Sequence, residues 1–220
     1  MSFESLVISP ISETTFVFSC NNYSDFKFYE ELVNFETYLK SNQIPCFIEC
    51  IVAYNSVTLF FTSDLFKYFT SLASVSERIK TDFIKSKEHS IECMESLFEI
   101  SVKYNGDDLN FISEKLDMSI SKIIDYHTEP LYSVAMIGFL PGFPYLFGLS
   151  DKLKVPRKTS PRAKVEKGSV GIAGLQTGIY PMDSPGGWQI IGKTDFELFL
   201  LENNQPNTLK RGDKIRFIAI

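Results

Sequence analysis

Only two histidines occur among the 220 residues, and one of them, His127, lies close to the segments richest in Gly, Pro and aromatic residues. A histidine can act as a general base near neutral pH. Because a helical pattern ends at this point, His127 can equally interact with the last carbonyl groups of a helix. The residue type leaves both roles open, and His127 is the candidate catalytic residue of this chain.

Two arginines in a basic segment are candidates for binding an anion. Residues 151–168 contain seven Lys and Arg against two acidic residues, in a chain whose net charge is −5. Arg157 and Arg162 each follow a proline, which restricts the backbone that carries the guanidinium group. An arginine held in this way suits bidentate recognition of a carboxylate or a phosphate. We therefore predict that both arginines bind substrate, and we interpret the lysines of this segment as a solvated face.

Two nearly uncharged segments could line a pocket beside these side chains. Residues 138–146 form a constrained apolar stretch, whose aromatic residues could wall a ligand pocket or simply fill a core. Its predicted pocket-wall residues are Pro141, Phe143 and Tyr145. Residues 168–181 are rich in glycine, which lets backbone amides approach a ligand closely. The predicted substrate-binding residues there are Gln176, Thr177 and Tyr180. We expect both segments to share one cleft with His127 and the two arginines.

The sequence contains no standard motif for a metal ion or a nucleotide. The glycine-rich segment has neither the Gly-Lys-Ser/Thr of a Walker A loop nor the acidic partner of a Rossmann fingerprint. No zinc-binding spacing occurs among the cysteines, which are Cys20, Cys46, Cys50 and Cys93. Asp107 and Asp108 could form a metal or acid/base site, although an acidic pair after a glycine is more typical of a turn followed by a helix N-cap. We expect no metal, and no cofactor bound by this chain alone.

The elements that must position these residues are predicted to form two domains. Residues 1–86 show strand and helix patterns in the order ββαββα, typical of an α+β module with an antiparallel sheet and two helices. The second of these helices is predicted to begin near Ser63 and to continue through Ile79. Residues 87–95 are polar and are predicted to be a linker. In residues 96–220, short helices precede short β-like runs separated by Gly and Pro, which indicates an all-β barrel or sandwich.

Specific strands of the second domain can be predicted from runs of β-branched and aromatic residues. They are Ser96–Lys103, Val134–Phe139, Gly168–Ile172, Trp188–Lys193, Leu198–Leu201 and Lys214–Ile220. Residues 131–150 are uncharged and long enough to span a membrane, but Pro141 and Pro144 would break such a helix, so a buried strand and a rigid loop are predicted. The N-terminus lacks the basic region of a secretory signal, and the net charge disfavours nucleic-acid binding. We expect a cytoplasmic protein with no nucleic-acid or membrane partner.

Taken in order, the motifs between residues 104 and 217 resemble one family. The segments that carry the resemblance are Asp107-Asp108-Leu109, His127, residues 138–146, Pro156-Arg157, Ser160-Pro161-Arg162, residues 168–174, residues 176–181, residues 184–188 and Gly212-Asp213. They resemble the 5-oxoprolinase B subunit family, also called allophanate hydrolase subunit 1 or KipI-like. Lys193-Thr194-Asp195 departs from the Arg-Thr-Pro that is usual there.

The resemblance implies a fold and a function. The expected fold is a small α+β module followed by a cyclophilin-like β-barrel with short helices. The expected function is that of a non-autonomous subunit, which works with the A and C (KipA-like) subunits to convert 5-oxo-L-proline to L-glutamate while the assembled complex uses ATP. The alternative is a KipI-type protein that inhibits a sensor histidine kinase. A stand-alone hydrolase has the least support, because no nucleophile–base pair is recognisable.

Overall fold

The computed structural model of the chain describes residues 6–20, 26–42, 44–87, 96–201 and 206–220. The chain divides into two compact units, Met1–Glu92 and Cys93–Ile220. Most of the predicted linker, residues 88–95, lies outside the described residues.

The first unit combines a four-stranded antiparallel sheet with helices on one face. Its elements are β1 (Leu6–Pro10), β2 (Thr15–Cys20), α1 (Phe26–Ser41), β3 (Phe47–Val52), β4 (Ser56–Phe61), α2 (Leu65–Tyr68) and α3 (Leu72–Ser86). The strands lie in the order β1-β2-β4-β3. Phe18 of β2 contacts Phe35 of α1 and Phe83 of α3, with ring centroids 5.7 and 4.6 Å apart. Both long helices therefore cover the same face of the sheet.

The prediction of one continuous helix after β4 is wrong. Phe69 has an extended backbone (φ −126°, ψ 135°), which ends α2 after a single turn. Ser71 then begins α3 through a capping box, in which its hydroxyl accepts from the Ser74 N–H and the Ser74 hydroxyl accepts from the Ser71 N–H. Such reciprocal bonds satisfy the unpaired donors at a helix start and favour a new helix over continuation of the old one.

The second unit is dominated by a seven-stranded sheet. Its elements are β5 (Leu97–Val102), α4 (Leu109–Leu116), α5 (Ile120–Thr128), β6 (Tyr132–Ile137), β7 (Pro144–Phe147), β8 (Arg162–Val165), β9 (Ser169–Ala173), β10 (Gln176–Ile179), β11 (Ser184–Gly186), β12 (Gln189–Lys193) and β13 (Lys214–Ala219). The strand order is β12-β9-β10-β7-β6-β13-β5, and β8 pairs separately with β11. The sheet encloses a core of mainly aliphatic side chains that includes Ile100, Val134, Leu146, Ile172 and Ile191.

The two outermost strands of this sheet meet and nearly close it into a barrel. Lys103, just after β5, and Lys193, at the end of β12, exchange two backbone hydrogen bonds of 2.9 Å. A side chain at Gly192 would place its Cβ 2.6 Å from the Lys103 carbonyl oxygen, so this close approach requires glycine. Closure removes the exposed edges that an open sheet would carry.

Most of the strands predicted in the second unit are confirmed within one or two residues. One predicted strand is wrong, and four of the observed strands were not predicted. Leu198–Leu201 contains only an isolated bridge between Phe199 and Asn207. The strand predicted at Val134–Phe139 runs over Tyr132–Ile137, and β7 follows it after a tight turn, so residues 131–150 form a hairpin. No described helix is long and apolar enough to span a membrane. The unpredicted strands β7, β8, β10 and β11 are three or four residues long, too short for their alternation to stand out.

Candidate functional site

Four aromatic side chains of the second unit pack together where several strands end. Phe143 lies at the centre, with its ring centroid 5.0 Å from Tyr145, 5.2 Å from Tyr180 and 5.4 Å from Trp188. Phe143, Tyr180 and Trp188 are buried, and Tyr145 is half-buried. The crossing angles of Phe143 with Tyr180 and Trp188 are close to perpendicular, the edge-to-face arrangement that aromatic rings prefer. We call these four residues the aromatic cluster.

The turn between β6 and β7 presents a fifth aromatic ring at the edge of this cluster. The Gly138 N–H donates to the Phe143 carbonyl and the Phe143 N–H to the Leu140 carbonyl, both at 3.0 Å. Phe139 has a φ of +70° and is 61% exposed, while its ring meets Phe143 edge-on at 5.5 Å. A bulky residue in the left-handed region is strained, which is most often seen at functional sites. Pro141, predicted as a pocket wall, is exposed on the same turn.

Arg157 lies close to the aromatic cluster and makes no ion pair with any described residue. Its side chain is exposed. Burial raises the pKa of both Tyr145 and Tyr180, and the positive charge of Arg157 opposes the rise in each. The residues on either side of Arg157 are hydrogen-bonded to Gly187 and Gln189, which flank Trp188 of the aromatic cluster. No described carboxylate competes with an incoming anion for the guanidinium group.

Arg162, by contrast, is already engaged by a buried carboxylate. Its Nη2 donates to Asp108 Oδ1 at 2.7 Å, and its Nη1 lies 3.5 Å from the Trp188 carbonyl oxygen. Lys158 Nζ donates to the same Asp108 oxygen at 3.0 Å, and the Ile190 N–H donates to Oδ2 at 2.6 Å. We call this set of contacts the Asp108 clamp. Burial alone would raise the pKa of Asp108, but these three hydrogen bonds outweigh it and lower the pKa.

The clamp changes the interpretation of several residues. Asp108 does precede α4, as the helix N-cap interpretation requires, but its side chain makes no capping hydrogen bond and reaches the basic segment instead. Lys158 is not part of a solvated face, because it pairs with a carboxylate whose side chain is 6% exposed. Sequence reasoning missed this pairing, since about 50 residues separate the partners along the chain. The excess of positive charge in residues 151–168 was the one available signal that a buried acid was required.

His127 occupies the interior of the second unit rather than an open cleft. It is 0% exposed and stacks on Phe217 with centroids 4.6 Å apart. Its Nδ1 lies 2.7 Å from the Tyr104 hydroxyl and its Nε2 lies 2.9 Å from Thr177 Oγ1. Thr177 donates its own hydroxyl proton to the Gly171 carbonyl at 3.1 Å, so Nε2 must be the protonated nitrogen and Nδ1 must accept from Tyr104. Burial lowers the pKa of His127 to about 3, which keeps the ring neutral.

The predicted site residues therefore fall into two groups. Phe143, Tyr145, Tyr180, Arg157 and Arg162 lie at or beside the aromatic cluster. Thr177 is fully buried and joins His127 in the core, while Gln176 is half-buried at the start of β10. None of the described contacts of His127 reaches either arginine. A catalytic role for His127 stays a prediction, and its surroundings are those of a core residue.

Arg162 also borders a polar cavity of about 460 Å³. Its other charged walls are Asp107, Lys164, Glu166 and Lys193. Several of these charges are neutralised locally, since Lys193 pairs with Glu166 at 2.6 Å and Lys164 pairs with Asp183 at 2.8 Å. In the described parts of the chain, no three His, Cys, Asp or Glu side chains are grouped as metal ligands.

Most of the chain matches a known class of protein domain. Residues 6–209 match the family model described as carboxyltransferase domain, subdomain C and D. In fold, the chain resembles urea amidolyase from Kluyveromyces lactis, with a TM-score of 0.79 at 15% identity over 100% of this chain and 15% of that chain. A structure of the protein TTHA0988 is 28% identical, with a TM-score of 0.73 over 94% of this chain. This chain spans 40% of the length of TTHA0988.

Similar proteins of known name identify the family within this class. The chain is 41% identical to the 5-oxoprolinase B subunit of Bacillus subtilis over 83% of its length, covering 80% of that protein. It is 39% identical to the 5-oxoprolinase B subunit of Haemophilus influenzae over 96% of its length, covering 97% of that protein. The chain belongs to the 5-oxoprolinase B subunit family, as its motifs indicated.

Proposed function

We propose that this chain is a non-autonomous subunit of an ATP-dependent 5-oxoprolinase. Together with the A and C subunits it would convert 5-oxo-L-proline to L-glutamate. Water adds across the lactam amide bond, which gives the side-chain carboxylate and the amino group of glutamate, and ATP hydrolysis by the assembled complex drives the step. The names of relatives that match 80% or more of this chain support the assignment. We further propose a cyclophilin-like barrel for the second unit and a cytoplasmic location.

The observation that carries the proposal is Arg157, which pairs with no described acid and lies beside the aromatic cluster. 5-Oxo-L-proline combines a carboxylate with a small, nearly planar ring. The guanidinium group can bind the carboxylate in a bidentate manner, and an aromatic surface can pack against the ring. An apolar wall with a few convergent polar groups is typical of a small-molecule site. The sequence has no standard nucleotide-binding motif, so ATP is assigned to the complex rather than to this subunit.

Co-expression with the A and C subunits tests the proposal. The purified assembly should hydrolyse 5-oxo-L-proline only when ATP is present, and this chain alone should not. Turnover by this chain alone would contradict the subunit model. An assembly of all three proteins without activity would contradict the 5-oxoprolinase assignment.

One observation favours the alternative, a protein that binds and inhibits a sensor histidine kinase. Phe139 is exposed and strained on a rigid turn, a geometry suited to contact with a macromolecular partner. If this alternative holds, the chain should inhibit autophosphorylation of a sensor kinase encoded beside it, and Phe139→Ser should relieve that inhibition. Absence of inhibition by the wild-type chain would exclude the alternative.

A further inference from the structure

Both neighbours of Arg157 in the chain are anchored by hydrogen bonds, whereas the Arg157 guanidinium group is not anchored by any described residue. On one side, the Pro156 carbonyl accepts from Gln189 Nε2 at 3.0 Å. On the other side, the Lys158 N–H donates to the Gly187 carbonyl at 2.7 Å, and Lys158 Nζ donates to Asp108. Arg157 itself makes no ion pair with any described residue. Its backbone position is thus determined by contacts that do not use its guanidinium group.

Asp108 both holds residues 156–162 in place and neutralises part of their positive charge. Three cations, Arg157, Lys158 and Arg162, lie within six residues of one another. Like charges so close together repel, and an incoming anion could bind any of them. The Asp108 carboxylate takes up two of these cations and also accepts the Ile190 N–H, which attaches the segment to β12. Because its side chain is only 6% exposed, water screens these interactions weakly.

We propose that Asp108 is a positioning residue: by binding Lys158 and Arg162 it fixes residues 156–162 and leaves Arg157 as the single arginine that receives the substrate carboxylate. The inference rests on the proposed function for the identity of the substrate. The proposal gives different roles to two arginines that look equivalent in the sequence. Arg162 pairs with Asp108, whereas Arg157 binds the substrate carboxylate.

The kinetic test compares Asp108→Asn with a matched control in the assembled complex. Asparagine keeps the size of the side chain and can still accept the Ile190 N–H, but it cannot neutralise Lys158 and Arg162. We expect KM for 5-oxo-L-proline to rise about tenfold while kcat changes less than about twofold, because binding of the ground state is affected. The control is Glu197→Gln, which removes an exposed carboxylate paired with Lys167 in the same unit and should leave both constants unchanged. A fall in kcat with KM unchanged would overturn the proposal, since it would indicate only a loss of folded enzyme.

A double-mutant cycle asks whether Asp108 acts through Arg157. In an Arg157→Ala background, Asp108→Asn should raise KM no further, because the group that it positions is gone. Independent, multiplying effects of the two substitutions would overturn the proposal. If Asp108→Asn folds poorly, Lys158→Met offers a milder variant, since it removes one contact and leaves Asp108 paired with Arg162. It should raise KM in the same direction by a smaller factor, and an unchanged KM would count against the proposal.

Hydrogen exchange provides a readout that does not depend on enzymatic activity. Protection of the Lys158 amide, which donates to Gly187, should fall about tenfold in Asp108→Asn and stay unchanged in Glu197→Gln. Unchanged protection in Asp108→Asn would show that Asp108 does not fix the segment. If the wild-type assembly shows no ATP-dependent turnover, the proposed function fails, and this exchange measurement still decides the role of Asp108.

Discussion

Asp108 and His127 are both almost completely buried in the second unit, and both have a lowered pKa, but the same direction of shift has opposite consequences for charge. For Asp108, hydrogen bonds from Arg162, Ile190 and Lys158 overcome burial and favour the ionised carboxylate. For His127, burial acts alone and favours the neutral ring. Burial therefore does not by itself say what a titratable group does, since the partners that accompany it into the interior decide its charge.

The two environments also differ in what they hold in place. The Asp108 clamp joins a surface segment to β12 through charged partners that are themselves 23% and 31% exposed. The His127 contacts join α5 to the barrel interior through neutral hydroxyl groups. A charged cluster whose cations reach the surface can tune a ligand site, whereas a neutral hydrogen-bonded chain in the core mainly specifies packing.

The largest expected effect is that of Asp108→Ala. This substitution leaves Lys158, Arg162 and the Ile190 N–H without their acceptor. We expect the free energy of unfolding of the second unit to fall by about 3 kcal/mol, because two charge-assisted hydrogen bonds are lost and the Ile190 N–H is left without this acceptor. Urea denaturation followed by the fluorescence of Trp188, the single tryptophan of the chain, measures this unit directly. Glu197→Ala should lower the free energy of unfolding by less than about 0.5 kcal/mol, as expected of an exposed ion pair. If the two variants lost equal stability, the Asp108 clamp would contribute no more than an exposed ion pair.

The second prediction concerns pH and His127. In the unfolded state the ring takes up a proton below pH 6.5, but in the folded state its pKa is about 3. Stability is therefore complete above pH 6.5 and is lost as the pH falls from 6.5 towards 3. Between pH 6.5 and 4.5 the loss should reach about 2.5 kcal/mol, at 1.36 kcal/mol per pH unit. His127→Gln should flatten this dependence over the same range, and a slope that survives in the variant would assign it to other groups.

The same variant decides between the catalytic and structural roles of His127. A proton carrier would lose turnover by a factor of about 10² to 10⁴ with little change in the thermal midpoint. From the geometry we expect the reverse, a lower midpoint with residual activity in proportion to the folded protein. A normal midpoint combined with loss of turnover in the assembled enzyme would restore the catalytic assignment.

A smaller effect is expected for Tyr104→Phe. The substitution removes the hydroxyl that donates to His127 Nδ1 and leaves that nitrogen buried without a partner. The cost should be about 1.5 kcal/mol, the usual penalty for an unsatisfied buried acceptor. Trp188 fluorescence in urea again reports it. A neutral result would mean that Nδ1 finds another donor, and it would reopen the tautomer assignment.

The smallest effect on stability should come from Arg157→Ala. Its side chain is exposed and makes no ion pair with a described residue, so the free energy of unfolding should change by less than about 0.5 kcal/mol. In the assembled enzyme, however, KM for 5-oxo-L-proline should rise by at least about tenfold, which corresponds to about 1.4 kcal/mol of lost binding. Lys154→Ala is the matched control and should affect neither quantity. If Arg157→Ala and Lys154→Ala behave alike, Arg157 does not bind the substrate.

Local patterns were enough to predict much of the fold. Runs of β-branched and aromatic residues predicted β5, β12 and β13 to within one residue at each end, because these signals operate over a few neighbouring residues. The same locality explains the failures. Residues 198–201 look like a strand in composition but pair at one position only, and the short strand β7 begins at a proline.

Residue types and their spacing along the chain were enough to predict the family, the aromatic residues near the site and the candidate arginines. Only the tertiary structure showed that Arg162 pairs with Asp108 while Arg157 pairs with no described acid. It also showed that no described contact of His127 reaches either arginine. Asp108 lies 54 positions before Arg162, and His127 lies 50 positions before Thr177. Pairings across such distances follow from how the barrel closes and which side chains it buries, and no local pattern in the sequence encodes them.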